Sequence, residues 1–494
     1  MRMIKTVCHI MEILILSTVL ISLPNEAAKA QNFPITTSSK NALQFFNMGM
    51  RDLLNLQYRE AAENFGSAIK RDPNFALAYL YRAQCYDDPD SIIYNVNKAI
   101  EKGIALKDKI SNGERLLLIA VRARFIGDKT EEQSYLDQLL RDYPNNKWIL
   151  AQLAKFYYRI SDYKQILKYS NHFLQADTTF ALPYSMIGYA SIKLGDYKTA
   201  ENAFKKYISR VPDNPAPHHW YATLLQMMGR FEESNIQFEK AFSLDNKYVK
   251  ALIGIGDNYL FEDDFANARY YYHRASQKAT YINDRLGAQY NLALLHLYKN
   301  QIPEAIGVFH EIKESAIANN VNITALSYCL AAAIILSESD EPELALQEIK
   351  EANSIVNDIP GSTKEHLTES VMLYKSYVLL QQGKIAEASK LTNETISIIK
   401  ESSDQTNIPK LNFVKGMIAF EQDNYKEAIS YFRIAEDNPL VWYYTALAYQ
   451  NSGDKTKGIG LLKKISHWSV NCFELAFVRY RVRQQLEANG LPIN

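Results

Sequence analysis

A few positions in the chain carry residue types that could bind a cofactor or a metal ion. Gly254-Ile255-Gly256 is half of a dinucleotide-binding fingerprint, but Tyr259 stands where the third glycine should be. His310-Glu311 lacks the second histidine of a zinc-hydrolase helix. The sequence also has no Walker phosphate loop and no Gly-x-Ser-x-Gly elbow. We therefore predict no catalytic residue, no cofactor and no metal site.

Two short clusters could still do chemistry. His218-His219 could ligate a metal ion, but a metal site needs three or four ligands and none follows nearby. We favour a pair on the surface or lining a groove. Arg479, Arg481 and Arg483 could contact a nucleic acid, although such footprints are usually broader. We expect these arginines to form the solvated face of a terminal helix.

The elements that would position these residues follow a repeat. Small residues recur along the chain, most often 34 residues apart, and a period between about 20 and 50 residues is typical of a solenoid. The twelve positions are Gly49, Ala83, Ala120, Ala154, Gly188, Ala222, Gly256, Ala293, Ala333, Ser376, Gly416 and Ala446.

The clearest unit runs from Tyr184 to Pro212. One helix face carries Tyr184, Ile187, Gly188 and Ser191; Gly195-Asp196-Tyr197 predicts a turn, and a second stripe follows at Ala200, Phe204 and Tyr207. This pattern resembles the tetratricopeptide repeat. The resemblance implies an all-α, right-handed superhelical solenoid of about 11–12 helix-turn-helix units with a C-terminal capping helix.

The predicted array is not uniform. The unit around Ala120 has Glu132 where the repeat expects alanine, and the intervals between Ala293 and Gly416 lengthen to 40, 43 and 40 residues. We expect longer second helices and looser connectors there. The predicted domains are a signal peptide (1–30), a linker (31–41), a regular array of about seven units (42–284), about five longer units (285–470), and a capping helix and tail (471–494).

The charge balance limits the class of partner. The 494 residues include 55 Lys plus Arg and 55 Asp plus Glu, so the chain has no overall field to attract nucleic acid or an anionic membrane. Beyond residue 30, the cysteines are Cys85, Cys329 and Cys472, an odd and widely spaced set. We interpret them as buried thiols rather than as a disulfide framework.

The first thirty residues are typical of a secretory signal peptide. Arg2 and Lys5 form a basic start, Ile13 to Leu23 is apolar, and Ala28-Lys29-Ala30 fits a cleavage site. An uncleaved membrane anchor is the alternative, but about 11 apolar positions are short of the roughly 20 that a span needs. We expect a periplasmic or secreted protein that has no membrane contact after cleavage.

The resemblance also implies a binding surface, because the first helices of such repeats line a concave groove. We predict groove residues three positions before each small residue and one, four and five after it. The alternative is that these side chains, several of them among the 33 tyrosines, pack in the core. The candidates are Tyr158, Tyr189, His219, Tyr290, Tyr298, Tyr377, Phe413, Phe420 and Tyr443.

The resulting hypothesis is an exported, non-enzymatic scaffold that binds a protein through its concave surface, with envelope assembly or secretion as its setting. The family's clamp for a C-terminal carboxylate is absent, because no lysine three before a small residue is combined with an asparagine one after it. The alternative is a glycan- or peptidoglycan-binding module whose groove aromatics stack on sugar rings. An enzyme would require catalytic groups that converge from different units.

Overall fold

The computed structural model describes residues 33–491 apart from 87–88, 107, 340, 360–361 and 402–405. The predicted signal peptide therefore lies outside the described residues. Every element in the described ranges is helical, and the contacts divide these residues into an N-terminal unit (33–224) and a C-terminal unit (225–491). Among the described residues, every helix is too short or too polar to span a bilayer.

The N-terminal unit is a series of helix pairs. In order, α1/α2, α3/α4, α5/α6, α7/α8 and α9/α10 pack as pairs, and the division between the units falls within α11. The helices are α1 (Lys40–Leu54), α2 (Tyr58–Arg71), α3 (Ala76–Ala83), α4 (Pro89–Ala105), α5 (Asn112–Ile126), α6 (Lys129–Asp142), α7 (Lys147–Arg159), α8 (Tyr163–Ala176), α9 (Leu182–Lys193), α10 (Tyr197–Arg210) and α11 (Pro215–Met227).

The C-terminal unit continues the pattern with α13/α14 through α23/α24 and adds one unpaired helix, α25. Its helices are α12 (Phe231–Leu244), α13 (Lys250–Phe261), α14 (Phe265–Lys278), α15 (Ile282–Tyr298), α16 (Ile302–Ala318), α17 (Asn322–Ser337), α18 (Pro342–Asn357), α19 (Ser362–Gln381), α20 (Ile385–Glu401), α21 (Ile408–Glu421), α22 (Tyr425–Phe432), α23 (Pro439–Asn451), α24 (Lys455–Ser466) and α25 (Phe473–Ala488). The predicted all-α helix-turn-helix fold is confirmed.

The small residues explain why the helices pair. A Cβ atom built on Gly188 of α9 would lie 2.4 Å from the ring of Phe204 in α10, closer than side chains tolerate. The same relationship joins Gly256 of α13 to Tyr272 of α14, at 2.5 Å. Glycine in these first helices lets an aromatic ring of the second helix fill the seam, which offsets glycine's cost of about 1 kcal/mol in a helix.

The turns between paired helices have a recurrent local cause. Gly195 has a φ of +78°, a left-handed conformation that suits glycine, and it ends α9. Asp196 then accepts a hydrogen bond from the backbone N–H of Thr199 at 3.0 Å and caps α10. Asp162 and Asp264 cap α8 and α14 in the same way.

The stretched intervals correspond to longer helices. From α15 to α20, both members of each pair have 16–20 residues, so the lengthening is not confined to the second helices. The predicted domain boundary near residue 285 stays a prediction. The last helix, α25, packs against α24 as a capping helix would, but it also packs against α23 and α15.

Candidate binding surfaces

The nine predicted groove residues lie on first helices and fall into two groups. The N-terminal unit contains Tyr158, Tyr189 and His219. The C-terminal unit contains Tyr290, Tyr298, Tyr377, Phe413, Phe420 and Tyr443. The surroundings of the two groups differ, because α25 covers part of the second.

A partly exposed row of aromatic rings runs across α7, α9 and α11 of the N-terminal unit. The ring of Tyr158, 42% exposed, lies 4.8 Å from the ring of Tyr189, and Tyr189 lies 6.5 Å from Trp220, which is 36% exposed. His219 is half-buried beside Trp220, with their rings 5.8 Å apart. We call Tyr158, Tyr189, His219 and Trp220 the aromatic ladder; Tyr158 and Trp220 are exposed, and the other two side chains are half-buried.

Positive charge adjoins the ladder. Glu132 of α6, whose side chain is 3% exposed, accepts a hydrogen bond from Arg124 Nε at 2.8 Å and another from the Arg159 guanidinium. Lys155 lies one helical turn before Arg159 on α7 and donates to Gln84 Oε1 at 3.3 Å. We call Arg124, Lys155 and Arg159 the cationic cluster; Glu132 balances only one of its three charges.

Within this cluster, the pKa of Lys155 is lower than that of an ordinary lysine. Burial lowers the pKa of Lys155 to about 8, and the like charges of Arg124 and Arg159 also lower it. An anionic group placed against Lys155 would reverse that effect, because an opposite charge favours the ammonium form.

In the C-terminal unit, α25 lies along the predicted groove. The ring of Phe473 is 6.4 Å from that of Phe309, and Phe473 lines the same cavity as Tyr290. Tyr298 is 7% exposed beneath the Arg479 guanidinium, 5.4 Å from its ring centroid. Tyr443, also 7% exposed, lies 3.5 Å from Gln485 of α25. These three tyrosines therefore contact a helix of the same chain.

Polar contacts hold α25 in place along its length. Asn471 Nδ2, just before α25, donates to Asp257 at 2.7 Å and to Asn291 at 2.8 Å. Further along, Arg481 pairs with Glu338, whose side chain is only 7% exposed. Arg483 pairs with Asp263 at 2.8 Å.

The expectation of a solvated arginine face on α25 is wrong. Arg479 is 7% exposed and lies over the rings of Phe261 and Tyr298, where burial lowers the pKa of its guanidinium. Arg481 and Arg483 form the ion pairs described above. The run fastens α25 to earlier helices rather than facing solvent.

The remaining predicted residues pack against other helices. Tyr377 is 3% exposed, and its hydroxyl lies 3.0 Å from that of Tyr444. The rings of Phe413 and Phe420 lie 6.0 Å from the Tyr444 ring. For Tyr377, Phe413 and Phe420, the alternative of packing between helices describes the geometry better than an open groove.

The sequence contained signals for some residues that the prediction missed. The cationic cluster occupies positions that the register assigns to the groove. Arg124 lies four positions after Ala120, and Lys155 and Arg159 lie one and five positions after Ala154. The prediction nevertheless kept only aromatic residues and His219. Glu132, which stands where the repeat expects alanine, was the sequence signal for this cluster. Trp220 lies two positions before Ala222, outside the positions considered.

The histidine pair is not arranged as a metal site. His218 is buried, with its Nε2 atom 3.3 Å from the carbonyl of Pro212. Elsewhere in the described residues, one group of three ligating side chains lies close together: Cys329, Glu348 and Glu351. Lys313 Nζ lies 3.3 Å from Glu348 and 2.7 Å from Glu351, so a lysine already forms ion pairs with both carboxylates.

Comparisons with known proteins agree with the repeat. Models of the tetratricopeptide repeat match residues 47–88 and 183–214, so the chain contains such repeats. Tetratricopeptide repeat protein 37 of Xenopus laevis is 24% identical over 203 residues, or 41% of this chain and 13% of that protein. Superkiller complex protein 3 of Mus musculus is 25% identical over 114 residues, which are 23% of this chain and 7% of that protein. The chain thus spans a small fraction of these relatives' lengths.

Solved structures give distant similarities. Yeast Tom70 matches with a TM-score of 0.38 and 15% identity, covering 91% of this chain and 96% of Tom70. PilW, described as a type IV pilus biogenesis factor, matches with a TM-score of 0.31 and 17% identity. The match covers 49% of this chain and 94% of PilW. MamA matches with a TM-score of 0.32 and 22% identity, and the match covers 34% of this chain and 91% of MamA. These values are too low to transfer a partner to this chain.

Proposed function

We propose that this chain is an exported, non-enzymatic scaffold that binds a segment of a partner protein through the aromatic ladder and cationic cluster of its N-terminal unit. The observation that carries the proposal is the exposed ladder. Tyr158 and Trp220 are 42% and 36% exposed, although large aromatic side chains gain by burial. Contiguous exposed aromatic surface is typical of a protein interaction site.

The charge beside the ladder indicates which kind of segment fits. Arg124, Lys155 and Arg159 carry three positive charges against the single carboxylate of Glu132. A segment with acidic residues next to aromatic or aliphatic ones would complement both parts of the surface. The helix α7 presents Lys155, Tyr158 and Arg159 on one face, so a short segment could reach all three.

The ring geometry favours a protein over a glycan. Neighbouring rings are inclined by 54° between Tyr158 and Tyr189 and by 82° between Tyr189 and Trp220. Rings inclined this steeply do not form one flat platform on which successive sugar rings could stack. Glycan binding remains the second candidate and has its own assay below.

The proposed location outside the cytoplasm rests on the sequence of residues 1–30. Their basic start, apolar run and small-x-small site support export through a secretory signal. The periplasm or cell surface, with a role in envelope assembly or secretion, is part of the proposal. Mass spectrometry of the N-terminal peptide from the native protein tests cleavage after Ala30.

A pull-down from native envelope extract tests the function. We expect the wild-type chain to retain a partner that is lost when Tyr158, Tyr189 and Trp220 are changed together to alanine. The matched control is Tyr94→Ala, because Tyr94 is 56% exposed on the second helix α4 of the same unit. Retention by the triple variant would contradict the proposal. Binding of purified glycans that is lost in the same variant would favour the second candidate.

A further inference from the structure

The cationic cluster has an excess of positive charge that its own carboxylate does not balance. Arg124 Nε and the Arg159 guanidinium donate to the same oxygen of Glu132, so one carboxylate oxygen serves two cations. Among the described residues, Lys155 has no carboxylate partner and donates only to Gln84. The whole chain has 55 basic and 55 acidic residues, so this excess is local rather than a consequence of composition.

Hydrogen bonds link the three cations around one small region. Arg124 Nη2 donates to Gln152 Oε1 at 3.1 Å, and Gln152 Nε2 donates to Gln84 Oε1 at 3.3 Å. The same oxygen of Gln84 accepts from Lys155 Nζ at 3.3 Å. An unbroken series of hydrogen bonds therefore runs from Lys155 to Arg124, and Glu132 continues it to the other guanidinium.

The cluster also has more hydrogen-bond donors than acceptors. The Lys155 ammonium can donate three hydrogen bonds and makes one among the described residues. Gln84 Nε2 is buried without an acceptor in the same part of the structure. An oxyanion carries acceptors and no donors, so a single group of this kind would complement both the charge and the hydrogen bonding. The lowered pKa of Lys155 agrees with a missing negative charge.

The size of the excess indicates which oxyanion fits. Three cations against one carboxylate leave two positive charges in one compact region. A phosphate monoester carries a charge of about −1.5 to −2 at pH 7 and three strong acceptor oxygens, whereas a carboxylate carries one charge. Guanidinium groups also match the oxygen geometry of phosphate.

The cluster opens to solvent beside the aromatic ladder. The side chain of Arg159 is 35% exposed, and Lys155 is half-buried. Tyr158 is 42% exposed and lies between these two residues on the same face of α7. A group that approaches Lys155 and Arg159 from solvent therefore has the ring of Tyr158 next to it.

We infer that the cationic cluster binds the phosphate group of a phosphate monoester, and that the organic part attached to the phosphate lies along the aromatic ladder. The inference deepens the proposed function, on which it rests, by naming the group that the cluster recognises. It can fail separately, because a partner could bind through the ladder alone.

Calorimetric titration of the full chain tests the inference with phenyl phosphate as the probe. Phenyl sulfate keeps the ring and the tetrahedral oxyanion but carries one charge fewer, and inorganic phosphate lacks the ring. We expect phenyl phosphate to bind at least about fivefold more tightly than phenyl sulfate, because of the additional charge. Inorganic phosphate should bind more weakly than phenyl phosphate. No binding of phenyl phosphate at millimolar concentration, or equal affinity for all three probes, would overturn the inference.

Substitution of Lys155 separates a binding role from a structural one. Lys155→Met should weaken phenyl phosphate binding at least about fivefold, since it removes one charge. The same change should leave thermal stability unchanged or raise it, because it relieves repulsion and Gln84 Oε1 keeps its bond from Gln152. Lys70→Met, at an exposed lysine on α2, is the matched control and should not alter binding. Unchanged affinity in Lys155→Met would overturn the inference.

The pull-down described above distinguishes the source of the phosphate group. If the partner protein carries the ester, treating the extract with phosphatase should abolish its retention. If the ester is a separate small molecule, retention should survive the treatment while phenyl phosphate still binds. A partner that is retained by a chain without affinity for phenyl phosphate would leave the proposed function standing and overturn the inference.

Discussion

The side chain of Asn471 donates a hydrogen bond to the carboxylate of Asp257 at 2.7 Å, which joins the segment before α25 to α13, 214 residues earlier. The same carboxylate accepts from the Tyr272 hydroxyl at 2.7 Å. Burial raises the pKa of Asp257 from 3.8 to about 7, although both hydrogen bonds act to lower it. The docking of α25 therefore involves a carboxyl group that keeps its proton into the neutral range.

This shift predicts a pH dependence of stability. Because the folded-state pKa is above the unfolded one, the folded chain holds a proton that the unfolded chain releases between pH 3.8 and about 7. The contribution of Asp257 to the free energy of unfolding is present below this window and lost as pH rises through it. Urea unfolding measures the free energy of unfolding of the wild type and of Asp257→Asn. The value for the wild type minus that for the variant should fall as pH rises to about 7 and stay constant above that pH. A difference that does not change across this window would contradict the assignment.

Two arginines of α25 provide a matched test of how that helix is held. Arg481 pairs with Glu338, which is 7% exposed, whereas Arg483 pairs with Asp263, which is 48% exposed. Arg481→Ala leaves a buried carboxylate short of a cation and should cost about 2 kcal/mol of unfolding free energy. Arg483→Ala should cost about 0–1 kcal/mol. Faster deuterium exchange in α25 should accompany only Arg481→Ala; equal exchange in the two variants would contradict this account.

Two glycines of the C-terminal unit test the seam between paired helices. A Cβ atom on Gly256 would lie 2.5 Å from the buried Tyr272 ring, so Gly256→Ala should destabilise the protein by about 1–3 kcal/mol. Gly307, exposed on α16, has open space at this position, and Gly307→Ala should stabilise the helix by about 0.5–1 kcal/mol. Thermal unfolding measures both. Shifts of the unfolding temperature in the same direction for both variants would argue against the assigned helix pairing. The same pairing predicts that the leucine side chain in Gly188→Leu clashes with Phe204.

The thiols of the described residues should be inert in the folded protein. Burial raises the pKa of Cys85 and Cys472 to about 12, and it raises that of the fully buried Cys329 well above its ordinary range. Thiolate is the reactive form, so iodoacetamide at neutral pH should leave these three cysteines unmodified until the chain is unfolded. Peptide mapping by mass spectrometry follows each site. Rapid labelling of Cys329 under native conditions would contradict the burial.

The helix pairs could be predicted from the sequence because their cause is local. A small residue in one helix and an aromatic ring in the next, such as Gly188 and Phe204, are only 16 residues apart and recur at regular intervals. The Gly-Asp turn at Gly195 likewise depends on neighbouring residues alone. The same register selected Tyr158, which is 42% exposed, and Tyr189, which is half-buried; that they line a groove stays a prediction.

The docking of α25 could not be predicted because it depends on contacts between residues 143 to 220 apart in the chain. No period relates Arg481 to Glu338, and alternation of arginine with apolar residues looks the same on a solvated helix. Groove positions near α25, such as Tyr298 and Tyr443, therefore could not be distinguished from open ones. Glu132 did depart from the repeat, but its role needed the positions of Arg124 and Arg159.

The central claim is that the aromatic ladder of the N-terminal unit contacts a partner protein in the cell. A photo-reactive amino acid at position 189, in place of Tyr189, tests it directly, with position 94 in place of the exposed Tyr94 as the control. After irradiation of intact cells, mass spectrometry should identify a protein crosslinked through position 189 and not through position 94. No protein adduct at position 189, or the same adducts at both positions, would contradict the account.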